Sequence, residues 1–123
     1  MNVAVLAFGF SYGLPPDLDL LFDVRFLRNP NYEPQLQPLT GADPAAAAFI
    51  EGDPALQPFL TRLFALLDFL LPHYAQTARA QLTIGFGCTG GRHRSVYVAR
   101  RVLAHLEADP RWSAELFTRD VER

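Results

Sequence analysis

With 123 residues, half of them hydrophobic and a fifth charged, the chain has the composition of a folded globular domain and is too apolar for a disordered one. A formal charge of −2 argues against a generally basic nucleic-acid binder, and the absence of any lysine excludes a lysine nucleophile, a Schiff base and the lysine of a Walker loop. A single cysteine, no charged-then-apolar leader and no apolar run of about 20 residues lead us to expect one cytoplasmic domain over 1–123 with no membrane association.

Val3 to Phe8 is almost continuously apolar and reads as a short buried strand ending at Gly9. The loop Gly9-Phe-Ser-Tyr-Gly-Leu-Pro-Pro16 leads through Asp17 and Asp19 into a second apolar run, Leu20 to Val24, which places Asp23 and Arg25 near a strand end. From Phe26 to about Ala42 proline, asparagine and glycine predict a long irregular loop of the kind that is usually functional. Asp43-Pro44 opens a short helix through Ile50, and Asp53-Pro54 announces a longer one in which Leu56, Leu60, Leu63, Leu67 and Leu70 recur at helical spacing as far as Pro72. The strand Leu82 to Phe86 follows. A further helix then carries Val96, Ala99, Val102, Leu103 and Leu106 on its buried stripe, with Arg100, Arg101 and Glu107 facing water, up to Asp109-Pro110. Glu115 to Thr118 is one more candidate strand. Strands alternating with helices predict an α/β fold, a small mostly parallel sheet with helices packed on it.

The chemistry concentrates in Leu82-Thr-Ile-Gly-Phe-Gly-Cys-Thr-Gly-Gly-Arg-His-Arg-Ser95, where a strand empties into a glycine-rich, doubly basic turn near the C-terminal end and opens a helix. Free backbone amides, the positive end of the helix dipole and the guanidinium groups of Arg92 and Arg94 converge there, an arrangement that suits a phosphate group. Three readings compete for these residues. Gly85-x-Gly87-x-x-Gly90 matches a dinucleotide fingerprint in form, but it lies late in the chain and Asp120 is the sole acid placed to hold a ribose. Cys88-x5-Arg94-Ser95 has the spacing of cysteine phosphatases, in which a thiolate attacks phosphorus, the arginine and amides hold the oxygens, and the hydroxyl eases departure of the thiol. Asp17, Asp19 or Asp23 would then serve as general acid, although Gly87 stands where many such enzymes carry histidine. The third reading needs no turnover: Thr89 and Ser95 offer hydroxyls, Gly90 and Gly91 let the backbone approach, and His93 and Arg94 hold a phosphorylated small molecule whose presence is reported. The bland counterpart is a tight strand-to-helix turn whose arginines pair with surface carboxylates.

Gly87-Cys-Thr-Gly-Gly-Arg-His-Arg-Ser-Val96 also resembles the signature of the C-terminal domain of the RapZ family of RNase adapter proteins. Phe8-Gly-Phe-Ser-Tyr-Gly-Leu-Pro15, Phe22-Asp-Val-Arg-Phe-Leu27 and Pro38-Leu-Thr-Gly41 resemble further family motifs in the same order, so the likeness spans nearly the whole chain. It implies a regulatory rather than catalytic α/β domain that binds glucosamine-6-phosphate and, in some members, a small regulatory RNA. Family members usually carry an N-terminal nucleotide-binding domain as well. These residues contain no counterpart of it, so neither ATP or GTP binding nor any cofactor is expected of them.

Carried over residue by residue, the resemblance implies a ligand site made of Cys88, Thr89, Gly90, Gly91, Arg92, His93, Arg94 and Ser95, with Asp23 and Arg25 arriving from the neighbouring strand end. A carboxylate such as Asp23 suits the ammonium of an amino sugar, while arginine and free amides suit its phosphate. The plain alternative for Asp23 and Arg25 is a mutual ion pair. His93, between two arginines, is expected to stay neutral under their charge. The chain departs from the family at Ala7, at Ser11 (usually Lys), at Asn31 (His in several members) and at Arg92 (often Lys), and its Thr118-Arg-Asp-Val-Glu-Arg123 stops short of the usual basic tail. Arg100, Arg101, Arg111, Arg119 and Arg123 remain as a candidate RNA patch, with a solvated helix face as the simpler reading. A phosphorylated small molecule is thus the expected partner; a regulatory RNA, a protein and a second copy of the chain stay open.

Overall fold

Alternation along the first strand sets the architecture. In β1 (Asn2–Gly9) Val3, Val5 and Ala7 point to one face and stand in parallel register with Leu82, Ile84 and Phe86 of β3 (Gln81–Cys88). These six side chains are fully buried and form the floor of the core. The computed structural model describes residues 1–123 and completes the sheet with β2 (Leu20–Asp23) beside β3 and β4 (Ser113–Thr118) beside β1, in the order β2-β3-β1-β4. Every pairing is parallel, so the sheet is wholly rather than mostly so.

Three helices close the floor: α1 (Pro44–Glu51), α2 (Leu56–Ala75) and α3 (Arg94–Glu107). α2 buries Leu56, Leu60, Leu63, Leu67 and Leu71 at helical spacing, and α3 adds Val96, Val98, Ala99, Val102 and Leu106 to the same apolar cluster. Each fully buried leucine contributes about 1.5–3 kcal/mol relative to an exposed one. α2 runs through Pro72 instead of stopping there. Proline in the last turn deprives only the Asp68 carbonyl of its helical partner, and Asp68 lies on the exposed side where water serves. α3 is also more enclosed than its stripe predicts: Tyr97 and Val98 are buried while Leu103 is only partly so. α1 and the residues before it pack on its first turns; a Cβ on Gly41 would lie 2.1 Å from the His93 carbonyl oxygen.

No helix covers the opposite sheet face. There the β1–β2 connection lays Leu18 over Gly85 and Phe10 over Gly87, each so close that a Cβ on the glycine would clash. Gly85 and Gly87 are therefore strand residues making room for side chains, and of the three glycines of the formal dinucleotide fingerprint only Gly90 lies in the loop. No single helix is long and apolar enough to cross a membrane.

Candidate functional site

The chain leaves β1 toward β2 and leaves β3 in the other direction, toward β4, so the carboxyl ends of the adjacent strands β1 and β3 form a topological switch point. A crevice opens at such a point in parallel sheets. Here it is a cavity of about 240 Å³, and segments at the ends of all the strands line it: Tyr12 after β1, Asn29 and Asn31 after β2, Cys88, Thr89, Gly90, Arg92, His93 and Arg94 at the end of β3 and beyond it, and Asp120 with Arg123 after β4.

The loop between β3 and α3 supplies the floor. Gly9 pairs with Cys88 in the sheet, and beyond that point the chain folds back so tightly that a Cβ on Gly91 would meet the Gly9 nitrogen at 2.4 Å. Gly91 has φ of +74°, a left-handed conformation that glycine adopts without strain. This turn leaves the amides of Thr89, Gly90, Gly91, Arg92, His93 and Arg94 donating to no group of the protein. The Val96 amide, in the first turn of α3, is equally free, whereas the Ser95 amide donates to Cys88 Sγ at 3.4 Å. Successive free N–H groups at a helix start form an anion-binding concavity. Gly90 faces open space, with nothing within 4 Å of where a Cβ would stand.

Arg94 is the cationic side of this cradle, and it is 4% exposed. Its Nη1 donates to the carbonyls of Arg25 and Leu27, at 2.6 and 3.2 Å, which fixes the guanidinium plane. Nη2 reaches Thr89 Oγ1 at 3.4 Å, and Nε, fully buried, has no acceptor. The Nε–Nη2 edge is the one with bonding capacity left. That edge is the geometry with which arginine grips two oxygens of one phosphate or carboxylate. Cys88, itself buried, points its S–H at Ser95 Oγ, 3.2 Å away.

The remaining basic groups of the loop are used differently. Arg92 borders the cavity, but its guanidinium donates to the backbone carbonyls of Leu39, Val121 and Pro38, tying the proline-rich loop and the C-terminal segment to the β3–α3 loop. His93 is 5% exposed with Nε2 3.1 Å from the Leu36 carbonyl. Burial is the first cause holding its pKa below the ordinary value near 6.5; the charge of Arg92 adds to it, and neighbouring carbonyls oppose it only in part. The ring is thus neutral mainly through desolvation, not through the flanking arginines. Asp23 and Arg25 do stand at the end of β2, but they face each other: Arg25 Nη2 lies 2.6 Å from Asp23 Oδ2, and the guanidinium stacks 4.1 Å over the Phe10 ring. Neither side chain lines the cavity, nor does Asp17 or Asp19. What the β2 end contributes to the site is the pair of main-chain carbonyls that orient Arg94.

Sequence reasoning did not assemble the far wall. Asp120, 1% exposed, accepts from the Gly9 amide at 2.8 Å and from Arg119 and Arg123, so the last residues are clipped over the end of β1. Arg123 in turn lies 4.6 Å over the Tyr12 ring. Asn29 Oδ1 accepts from the Asn31 amide, an Asx turn, and both residues line the cavity. The signals were present, in the departure at Asn31 and in the Thr118-Arg-Asp run, but spacing alone does not aim side chains into a shared volume.

The family model described as the RapZ C-terminal domain matches residues 1–122. The chain is 55% identical over 105 residues to a nucleotide-binding protein of Zymomonas mobilis, covering 85% of this chain and 32% of that one. It is 49% identical to a nucleotide-binding protein of Symbiobacterium thermophilum, with 99% of this chain and 40% of the relative covered. A third, from Heliobacterium modesticaldum, is 42% identical over all of this chain and 40% of its own length. The chain therefore spans about a third to two fifths of the curated relatives it matches. By these matches the chain belongs to the RapZ C-terminal domain family.

Proposed function

We propose that this domain is a regulatory sensor that holds a phosphorylated hexose of the size of glucosamine-6-phosphate, with the phosphate on the β3–α3 loop and the sugar toward Asn29, Asn31 and Tyr12. The carrying observation is the coincidence of an unbroken run of free amides, Thr89 to Arg94, with a buried guanidinium whose Nε has no acceptor. A buried donor left unpaired costs about 1–3 kcal/mol, and an anion seated beside it removes that cost. The cavity is smaller than those that enclose drug-sized ligands, which favours a monosaccharide phosphate over a dinucleotide.

Isothermal titration with inorganic phosphate, glucosamine-6-phosphate, fructose-6-phosphate and nucleotides tests the reading, together with backbone amide shifts. Binding of phosphate and hexose phosphates, with the largest shifts between Cys88 and Ser95, is the expected result. Indifference of those amides to every phosphorylated compound overturns it.

Catalysis by Cys88 is the second reading, supported by its place beside Arg94 in the cavity lining and by its contact with the buried Ser95 Oγ. It has no general acid to work with: Asp120 is the cavity's one carboxylate, and it is saturated by its own donors. Hydrolysis of p-nitrophenyl phosphate that disappears in Cys88→Ser while phosphate binding persists would favour this enzyme. Of the candidate RNA-binding arginines, Arg101, Arg111, Arg119 and Arg123 are engaged by Tyr97, Asp109 and Asp120, so RNA takes second place to the small ligand as a partner.

A further inference from the structure

Cys88 ends β3 where the apolar cluster gives way to the cavity, and it belongs to both. It is the one cysteine of the chain. Its Sγ accepts from the Ser95 amide at 3.4 Å and lies 3.2 Å from Ser95 Oγ, whose hydroxyl can turn to donate to a thiolate. A buried thiol with such neighbours is by itself structural. What sets this one apart is a second group at the same cavity: the buried Arg94 Nε has no acceptor, and Nη2 reaches the hydroxyl of Thr89, the residue next to Cys88. Together with the free amides of Thr89 to Arg94, that guanidinium edge gives the cavity bordered by the sulfur a set of donors without an oxygen to serve. A phosphate ester attacked by this sulfur needs an acid for its leaving group, and the cavity's one carboxylate, Asp120, is saturated. A hydroperoxide asks less, because its O–O bond is weak and a departing hydroxide needs only water and donors to receive it.

We propose that Cys88 is a modification site for hydroperoxides and that its oxidation closes the anion cradle. The thiolate sulfur attacks one oxygen of hydrogen peroxide; the S–O bond forms as the O–O bond breaks, sulfur gives up two electrons, and the second oxygen departs as hydroxide, which takes a proton from water. The product is a sulfenic acid. Its new oxygen stands in the cavity, where the loop amides and the Nε–Nη2 edge of Arg94 serve it in place of a phosphate oxygen. No second cysteine in these residues can condense with it. A thiol from solution therefore reverses the step: one equivalent forms a mixed disulfide and water, and a second returns the Cys88 thiol and leaves as the disulfide of the small thiol. The modification stands on the geometry of the cavity; only its effect on binding rests on the phosphate reading above.

Dimedone, which captures sulfenic acids and ignores an oxidised Met1, reads the step in reduced protein treated with equimolar hydrogen peroxide, and peptide mass spectrometry locates the adduct. The folded protein should label at Cys88 at least as fast as the urea-unfolded chain. Inorganic phosphate at about ten times its dissociation constant should slow that labelling about tenfold. Peroxide without dimedone should weaken phosphate binding, read by calorimetry, at least about tenfold, and dithiothreitol should restore it. In Cys88→Ser the affinity for phosphate, whatever its value, should be indifferent to peroxide. Labelling that is slower in the folded protein than in the unfolded chain marks Cys88 as an inert core thiol and overturns the proposal, whether or not phosphate binds. Labelling that leaves phosphate affinity unchanged, or a Cys88→Ser variant that peroxide disables as well, overturns the switch. If the reduced protein labels rapidly but never binds phosphate, the modification stands and the phosphate reading is the one that falls.

Discussion

The backbone amide of Gly9 donates to Asp120 Oδ2 at 2.8 Å, joining the end of the first strand to a residue 111 positions later. The bond seats the C-terminal segment as a wall of the cavity and brings Arg123 over Tyr12. Because Asp120 is 1% exposed while its arginine partners reach solvent, Asp120→Ala leaves an unpaired buried amide but two cations that water can serve. The expected loss is about 2–3 kcal/mol in urea unfolding. Burial by itself would raise the Asp120 pKa; the bonds from Arg119, Gly9 and Arg123 outweigh it and hold it below 3.8. Stability from this carboxylate is therefore complete above that ordinary value and is lost as pH falls through the lower folded one. An unfolding midpoint in the variant that responds to acid between about pH 4 and about pH 2 as steeply as the parent's would contradict this.

Gly90 and Gly91 are adjacent but should respond oppositely to alanine. At Gly91, with φ of +74° and the Gly9 nitrogen 2.4 Å from the added Cβ, the cost combines backbone strain with a clash against main chain that does not yield. A loss of about 3 kcal/mol or more is expected. Gly90→Ala meets nothing within 4 Å and should change stability by less than about 0.5 kcal/mol. Its methyl group projects where the proposed anion sits, so phosphate affinity should still fall about tenfold, a difference of about 1.4 kcal/mol. Equal melting temperatures for the two variants would show that the loop adopts another path.

The strands, the α/β class and the glycine-rich turn between β3 and α3 were legible because each rests on a local regularity: apolar runs of strand length, glycine and basic residues at a strand end, leucines at helical spacing. What sequence left undecided was which way the polar side chains of the loop turn. Arg92 and His93 sit in the motif as plausibly as Arg94 does, but the proline-rich segment 26–42 folds over the loop and presents Leu36, Pro38 and Leu39 carbonyls to them. Backbone acceptors from a distant irregular segment carry no side-chain signature. Asp23 and Arg25 were placed correctly at the strand end, and a local Asp-x-Arg pairing decided their direction. Pro72 misled for a simpler reason: the helix-breaking rule assumes an interior position, and one turn from the end the lost bond falls on solvent.

His93 gives the fold a second pH response. Its pKa lies below the ordinary value near 6.5, first because of burial and then because of Arg92, so the unfolded chain takes up a proton more readily than the folded one. The stabilising contribution is whole above about 6.5 and declines as pH drops from there toward the folded value. A His93→Gln variant keeps a donor for the Leu36 carbonyl and removes the titration. Urea midpoints for the parent should fall between about pH 6.5 and about pH 5, and those of the variant should be flatter over the same interval. Parallel curves would locate the acid sensitivity elsewhere.

Arg94→Lys isolates what the guanidinium geometry contributes, since the positive charge is kept. Lysine can reach the carbonyls of Arg25 and Leu27 or an anion, but it lacks a planar edge that serves both at once. Losing a charge-assisted, two-point contact is worth about 1.5–3 kcal/mol, so phosphate affinity should drop about 10- to 100-fold. Arg94→Gln removes the charge too and should bind more weakly still. Because Arg94 also pins the segment after β2, both variants need a melting curve beside the titration. If Arg94→Lys binds phosphate as the parent does, the backbone amides alone hold the anion, and the arginine is a strut of the fold rather than a ligand.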